Sequence, residues 1–168
     1  MPTIRGEQDA DAQAINAVIE SAFKGAGEAR AVDKLRGGGQ AVVSLVAEED
    51  GLIVGHILFS PVTIEPDSPG LRMLGLAPLA VTPSYQGRGI GSRLVQEGLL
   101  RCKDAGYDAV VVLGHPTYYP RFGFTRAIDS GLENEYGADD AFMVVELKDR
   151  ALSDVAGVVK YRPEFDGI

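Results

Sequence analysis

The chain has no tryptophan, a single cysteine and two histidines in 168 residues, and its 16 basic residues are outnumbered by 24 acidic ones. The lone Cys102 excludes an internal disulfide framework and a cysteine-based metal cluster, and it suits a reducing compartment. Its simplest role is that of a small packed side chain on a helix. No grouping of ligand residues points to a metal. A net charge of −8 repels polyanions and acidic lipid surfaces, so nucleic acid and membranes are poor partners, although a local site for a small phosphate remains open. No run approaches the ~18 apolar residues of a membrane span. The start, MPTIRGEQDADAQ, has no apolar segment behind basic residues of the kind that directs secretion. A cytoplasmic protein is therefore the expectation.

What is present is ordinary for a globular fold: 45% hydrophobic and 24% charged residues. The length fits one domain spanning residues 1–168, with a core over about 3–147 and a strand-like extension over 148–168. Between Asp9 and Phe23, the residues Ile15, Val18, Ile19, Ala22 and Phe23 recur at spacings of three and four, the stripe of an amphipathic helix. Residues 28–36 give a short second helix, stopped by Gly37, Gly38 and Gly39. The period then changes. Residues 41–48 and 52–60 flank Asp50 and Gly51, which predicts an antiparallel hairpin. The segment 62–72, with two prolines and a glycine, reads as a turn, and 73–82 (MLGLAPLAVT) as a strand apolar on both faces. An amphipathic helix over 92–105 follows, ended by Gly106. The continuous run AVVVL at 109–113 suits a parallel strand covered on both sides, so strand, helix and strand form a right-handed crossover. An acidic loop over 129–140 precedes a last clear strand at 141–147, and strand-like pieces near 156–161 close the domain. The fold class is α+β with a mixed sheet.

Between the apolar strand and the amphipathic helix stands QGRGIG, residues 86–91. Glycines there allow positive φ and bring the bare main chain close to a ligand. The helix that follows adds unpaired N–H donors and a positive dipole end, which together suit a phosphate. A tight turn with no ligand is the alternative reading of the same residues. The stretch lacks the lysine of a P-loop, and the frame from Gly87 puts Ser92 where a dinucleotide fingerprint needs its last glycine. Pro78 in the preceding strand removes a ladder donor and points to a bulge or an unpaired edge. An amide-bearing extended ligand can add itself to such an edge as a false strand, with its pyrophosphate on the glycine turn. The pantetheine arm of coenzyme A is such a ligand.

The spacing of Gln86, Gly89 and Gly91 directly after an apolar strand resembles the pyrophosphate motif of the Gcn5-related N-acetyltransferases (GNAT). The segments LAPLAVTPSYQGRGIGSRLVQEGL, AVVVLGHPTYYPRFGF and VGHILFSPV resemble the YhbS-like group within that superfamily. The likeness runs from the first helix to about Leu147. It implies the acyl-CoA N-acyltransferase fold: a central, mostly antiparallel sheet, a splayed parallel strand pair and flanking helices. It also implies acetyl-CoA as cosubstrate, an amine acceptor and no metal. A non-catalytic module that binds or senses acyl-CoA is the alternative function.

On that resemblance, the main chain of Leu79, Ala80 and Val81 would hold the pantetheine, and one donor there would polarise the thioester oxygen. Residues Gln86, Gly87, Arg88, Gly89, Ile90, Gly91 and Ser92 would hold the pyrophosphate. In the family a tyrosine four residues before a Gly-Phe pair often protonates the departing thiolate, which here is Tyr119; its neighbour Tyr118 is expected to point the other way. The family's usual asparagine and alanine before that tyrosine are replaced by GHPT. His115, at the carboxyl end of a buried strand where open sheets place ligands, is a candidate base, with a turn residue as the other reading; histidine side chains in general exchange protons near neutral pH. His56 reads as structural. Glu28, Glu48 and Glu49 are acidic candidates near the acceptor. Should the chain assemble, a homodimer is the expectation.

Overall fold

The computed structural model describes residues Met1–Ile168. Strand β1 (Thr3–Gly6) leads through a short 3-10 turn into helices α1 (Ala12–Phe23) and α2 (Gly27–Gly37). Strands β2 (Val43–Glu49) and β3 (Leu52–Pro61) form the hairpin, with Asp50 and Gly51 both at positive φ (53° and 78°). Such values suit a two-residue hairpin turn, which explains why Asp-Gly occupies it. Then come β4 (Thr63–Glu65), β5 (Met73–Val81), α3 (Ile90–Asp104), β6 (Ala109–Leu113), β7 (Thr125–Arg126), β8 (Leu132–Asn134), β9 (Phe142–Glu146) and β10 (Gly157–Lys160).

The main sheet runs β1-β2-β3-β5-β6-β9-β7, and only β5 and β6 are parallel neighbours within it. A second sheet, β4-β10-β8, was not legible in the sequence. It takes β4 from the segment expected as a turn, β8 from the acidic loop, and β10 from the C-terminal extension. The extension therefore closes a separate small sheet rather than the main one.

Side-chain alternation divides the core by face. On one face α3 presents Ile90, Leu94, Val95 and Cys102 to Leu45, Ile57, Phe59, Leu74 and Val110. On the other, α1 and α2 cover Val46, Leu58 and Ala80 at one end. At its opposite end that same face is covered by the small sheet, through Ile64, Leu132 and Val159, against Met73, Val111 and Val144. Cys102 is fully buried on the inner face of α3, in the packing role its sequence context suggested.

The register of β5 creates the functional feature. Its parallel pairing with β6 stops at Leu76 opposite Val112. Against β3, Phe59 faces Leu76 but Ile57 faces Leu79, so β5 carries one extra residue in the Ala77–Pro78 region. This is a bulge, where a residue without an N–H is tolerated. Beyond it β5 stays with β3 while β6 turns away, leaving a gap in the sheet.

Candidate active site

Past the bulge, the bond from Thr82 N–H to the Val54 carbonyl (2.9 Å) fixes the phase of the ladder. In an antiparallel pair, alternate residues direct their main-chain groups to the partner strand. Ala80 therefore faces β3, with its methyl buried, whereas Leu79 and Val81 direct their main-chain groups toward the gap. The Gln86 side-chain amide donates to the Val81 carbonyl at 3.0 Å.

The glycine turn follows. Gly87 and Gly89 adopt φ of 77° and 82°, which glycine accepts without strain. Gly91 has ordinary helical φ but faces the opening: a Cβ there would meet the Tyr118 hydroxyl at 3.4 Å. No side chain caps the N-terminus of α3, so its first N–H groups lack a side-chain acceptor and sit at the positive end of a 15-residue helix. Ile90 contributes only main chain here, since its side chain is in the core.

These residues line a cleft of about 580 Å³, with Leu79, Val81, Tyr85 and Gln86 on one wall and Gly87, Gly89, Gly91 and Ser92 on the floor. His115, Tyr118 and Arg121 complete the lining. Arg88 was expected among the pyrophosphate residues, but its guanidinium lies 4.9 Å from the Tyr85 ring centroid, donates to the Ser84 carbonyl and does not line the cleft. Arg121 is the cationic side chain in its lining. It stacks 4.5 Å over Tyr118 and its Nε donates to the Tyr118 carbonyl at 2.9 Å. The arginine in YYPRFGF was the available clue.

A second cleft, of about 400 Å³, opens on the α1–α2 side of the gap. It shares Leu79, His115 and Tyr118 with the first, and adds Phe23 and Glu28 from the helices, Tyr119 from the wall, and Phe165 and Ile168 from the C-terminal segment. The last two were missed, because the end of the chain carries no pattern that ties it to α2. Of the three acidic candidates only Glu28 is present; Glu48 pairs with Arg5 (3.2 Å) and Glu49 lies 3.6 Å from the N-terminal amine.

Tyr119 opens a 3-10 turn and Tyr118 is the residue before it, so neither lies in an extended strand, and their rings meet edge to face at 5.1 Å. Tyr118 exchanges a hydrogen bond with Ser92 Oγ at 3.0 Å, tying the loop to the start of α3. Tyr119 is 7% exposed and packs edge-on against Phe124. Burial pushes its phenol up to about 12, with a smaller contribution from Tyr118, and no hydrogen bond within the protein engages it. His115 is exposed, and its carbonyl accepts from Tyr118 and Tyr119 N–H at 3.1 and 3.3 Å.

His56 is fully buried, away from both clefts. Ser44 Oγ donates to Glu7 Oε1 at 2.7 Å, so its single proton is spent and it accepts from His56 Nε2–H at 2.9 Å. Nδ1 is left without a partner. Burial lowers the imidazole to about 4, partly opposed by Glu7. The 3.8 Å contact with Glu7 is therefore not an ion pair at neutral pH.

No helix is long and apolar enough to cross a membrane, and no group of three or more His, Cys, Asp or Glu side chains is arranged to hold a metal.

Comparison with known proteins agrees with the geometry. The family model for the acetyltransferase (GNAT) domain matches residues 3–127. The uncharacterized N-acetyltransferase YhbS of Escherichia coli K12 is 41% identical over 165 residues, 97% of this chain and 98% of that protein. The crystal structure of E. coli YhbS in complex with CoA superposes with a TM-score of 0.92 at 39% identity, covering 98% of this chain and 91% of that one. A GNAT family acetyltransferase from Brucella melitensis, in complex with acetyl-CoA, gives 0.83 at 37% identity, with 99% of each chain covered. A glycine turn at the mouth of a splayed parallel strand pair and these full-length relatives lead to one conclusion: the chain belongs to the GNAT family of acetyltransferases.

Proposed function

We propose that the protein transfers an acetyl group from acetyl-CoA to a primary amine by direct attack on the thioester. The observation that carries this is the gap beyond Leu76, because it brings an unpaired strand edge, a glycine turn and an uncapped helix end into one cleft. Coenzyme A offers an amide chain for the edge and a pyrophosphate for the turn. Leu79 and Val81 direct their main chain to the pantetheine; Gln86 holds the Val81 carbonyl in place. Gly87, Gly89, Ile90, Gly91 and Ser92 offer main-chain N–H groups to the pyrophosphate, with Arg121 adding charge from the opposite wall. Arg88 reaches it only by leaving Tyr85, and Ala80 serves by its pairing with β3. The relatives crystallised with CoA and acetyl-CoA support the same donor.

The amine enters through the second cleft. Its nitrogen forms a bond to the thioester carbonyl carbon while the oxygen takes negative charge beside the β5 main-chain donors. Collapse then breaks the C–S bond. Tyr119 donates its proton to the leaving sulfur, and His115, through water, accepts the proton from the nitrogen. A phenol raised to about 12 is a weak acid for an exposed thiolate. Desolvation raises a thiolate in the same wall by the same physics, which narrows the mismatch. Tyr119 is preferred over Tyr118 because only its hydroxyl is uncommitted.

The test is thiol release from acetyl-CoA over a panel of amines. Tyr119→Phe should lower kcat by about 10²-fold, the usual scale of general-acid catalysis, with acetyl-CoA affinity unchanged. Wild-type turnover in that variant removes Tyr119 from the mechanism. Background release with every amine, while CoA still binds, points to a non-catalytic acyl-CoA module.

A further inference from the structure

The second cleft is unlike the first in its chemistry. Ten of its 14 lining residues are hydrophobic, and it contains no lysine or arginine. It continues into an adjoining space of about 200 Å³ walled entirely by apolar and aromatic residues, among them Leu113, Tyr136, Tyr161 and Phe165. Leu76, Ala77, Leu113, Phe165 and Ile168 belong to both spaces, so they form one continuous surface. Its walls include side chains that a folded protein ordinarily covers: Phe23 is 43% exposed, Leu113 41% and Ile168 56%.

Within this apolar surface stands one carboxylate, Glu28, in the first turn of α2. It is half-buried. The ion pairs of the molecule are made by other acids, Glu7, Asp11, Asp33, Glu48 and Glu97 among them. Glu28 makes no ion pair, stands beside apolar side chains, and lines the same cleft as Tyr119 and His115.

We propose that the acceptor is a small primary amine carried on an apolar body of about aromatic size, with its ammonium group received by Glu28. The proposal rests on the acetyltransferase reading above and specifies the acceptor of that same site. Charge complementarity selects a cation, because Glu28 is the one charged side chain of the lining, with no lysine or arginine beside it. The apolar and aromatic continuation selects the body: a ring or short hydrocarbon loses water there, with the Tyr161 hydroxyl already directed to main-chain carbonyls, at about 25 cal/mol for each Å² covered. A polyamine would carry further cations into a space with no second carboxylate side chain. A lysine within a peptide would bring main-chain amides against hydrocarbon, where unpaired polar groups are penalised. The cleft of about 400 Å³, extended by the adjoining space of about 200 Å³, is in the range of small-molecule pockets. Glu28 acts as a positioning group: it receives the ammonium, which gives one proton to solvent water before the neutral nitrogen turns to the thioester; the second proton leaves after attack, to His115 through water.

The experiment is calorimetric titration of the CoA-loaded protein with 2-phenylethylamine, 2-phenylethanol and spermidine. The amine should bind at least tenfold more tightly than the alcohol, which lacks the cation, and than spermidine, which lacks the apolar body. Glu28→Gln should bring the amine to the level of the alcohol while CoA affinity stays within twofold. Tighter binding of spermidine, equal binding of amine and alcohol, or an amine affinity indifferent to Glu28→Gln overturns the proposal. Equilibrium binding requires no turnover. Should phenylethylamine bind as stated while thiol release stays at background, the transferase reading fails and the acceptor pocket stands; turnover confined to polar polyamines has the opposite meaning.

Discussion

Gly114 has no side chain because the Tyr119 ring occupies the place of one: a Cβ on Gly114 would overlap Cε2 of the ring and come within 3.0 Å of Cδ2. This pairing accounts for the glycine of GHPT, the segment where the chain departs from the family's usual residues. The strand β6 ends at Leu113, and the next residue must let the phenol lie flat against the main chain.

Gly114→Ala should therefore displace Tyr119 while leaving the glycine turn untouched. The expected result is a drop in kcat of at least tenfold with CoA affinity within threefold, together with about 1–3 kcal/mol of overpacking cost. Steady-state kinetics and urea unfolding on the same variant separate the two effects.

Gly89→Ala tests the turn. At φ 82° an alanine is strained whatever the space around it, and nothing lies within 4 Å of the new methyl. Left-handed backbone costs a side chain roughly 1–2 kcal/mol, so relaxing to negative φ re-aims the N–H groups at the start of α3. CoA affinity should fall about tenfold or more by calorimetry, with the thermal midpoint lowered only modestly.

Gly75→Ala probes the join between the two sheets. A Cβ there would sit 2.7 Å from Cε2 and Cζ of Tyr161 and 2.8 Å from Val62. The Tyr161 hydroxyl, 3.2 Å from the Val111 carbonyl and 3.4 Å from that of Leu76, would be pushed from the edge of the gap. About 1–3 kcal/mol should be lost, and amide exchange should rise in β10 before it rises in β2 or β3.

His56 gives a pH dependence of known sign. Burial keeps it neutral to about 4, whereas an unfolded chain takes up the proton near 6.5. Between those values the unfolded state holds more protons, so the contribution is complete above about pH 6.5 and is lost as pH falls toward 4. The limit is about 3 kcal/mol, from 1.36 kcal/mol per pH unit. Glu7 lies beside it: burial would raise its carboxyl, but Arg36 and Ser44 outweigh burial and hold it low, so it adds loss in the same direction at lower pH. Urea midpoints at pH 7 and 5 should differ for the native chain, and by clearly less for His56→Gln.

Elements with a hydrophobic period could be read from the sequence: α1, α2, α3, β2, β3, β5, β6 and β9 stand within a few residues of their expected places. The small sheet could not. Its strands β4 and β8 have three residues each, too short for any period, and they sit among prolines or acids. β10 pairs with both across a long stretch of chain, which leaves no local trace. In the site, Gly87 and Gly89 were legible because positive φ is a property of one residue type. Where Arg88 and Arg121 point was not, since the destination of a long side chain depends on which aromatic ring it meets. The orientation of Ala80 also depended on an event elsewhere, the extra residue at Ala77–Pro78 that resets which residues face the gap.

The gap beyond Leu76 is a passage through the sheet, because α3 and the α1–α2 pair lie on opposite faces of it. On the proposed function, donor and acceptor would arrive from opposite sides and meet at Leu79, His115 and Tyr118, which line both clefts. In that arrangement neither would block the other's exit, and the acetylated amine would leave while CoA stays bound. Double-reciprocal plots at several acceptor concentrations should intersect, as for a ternary complex, instead of running parallel as they would if the acetyl group paused on the enzyme.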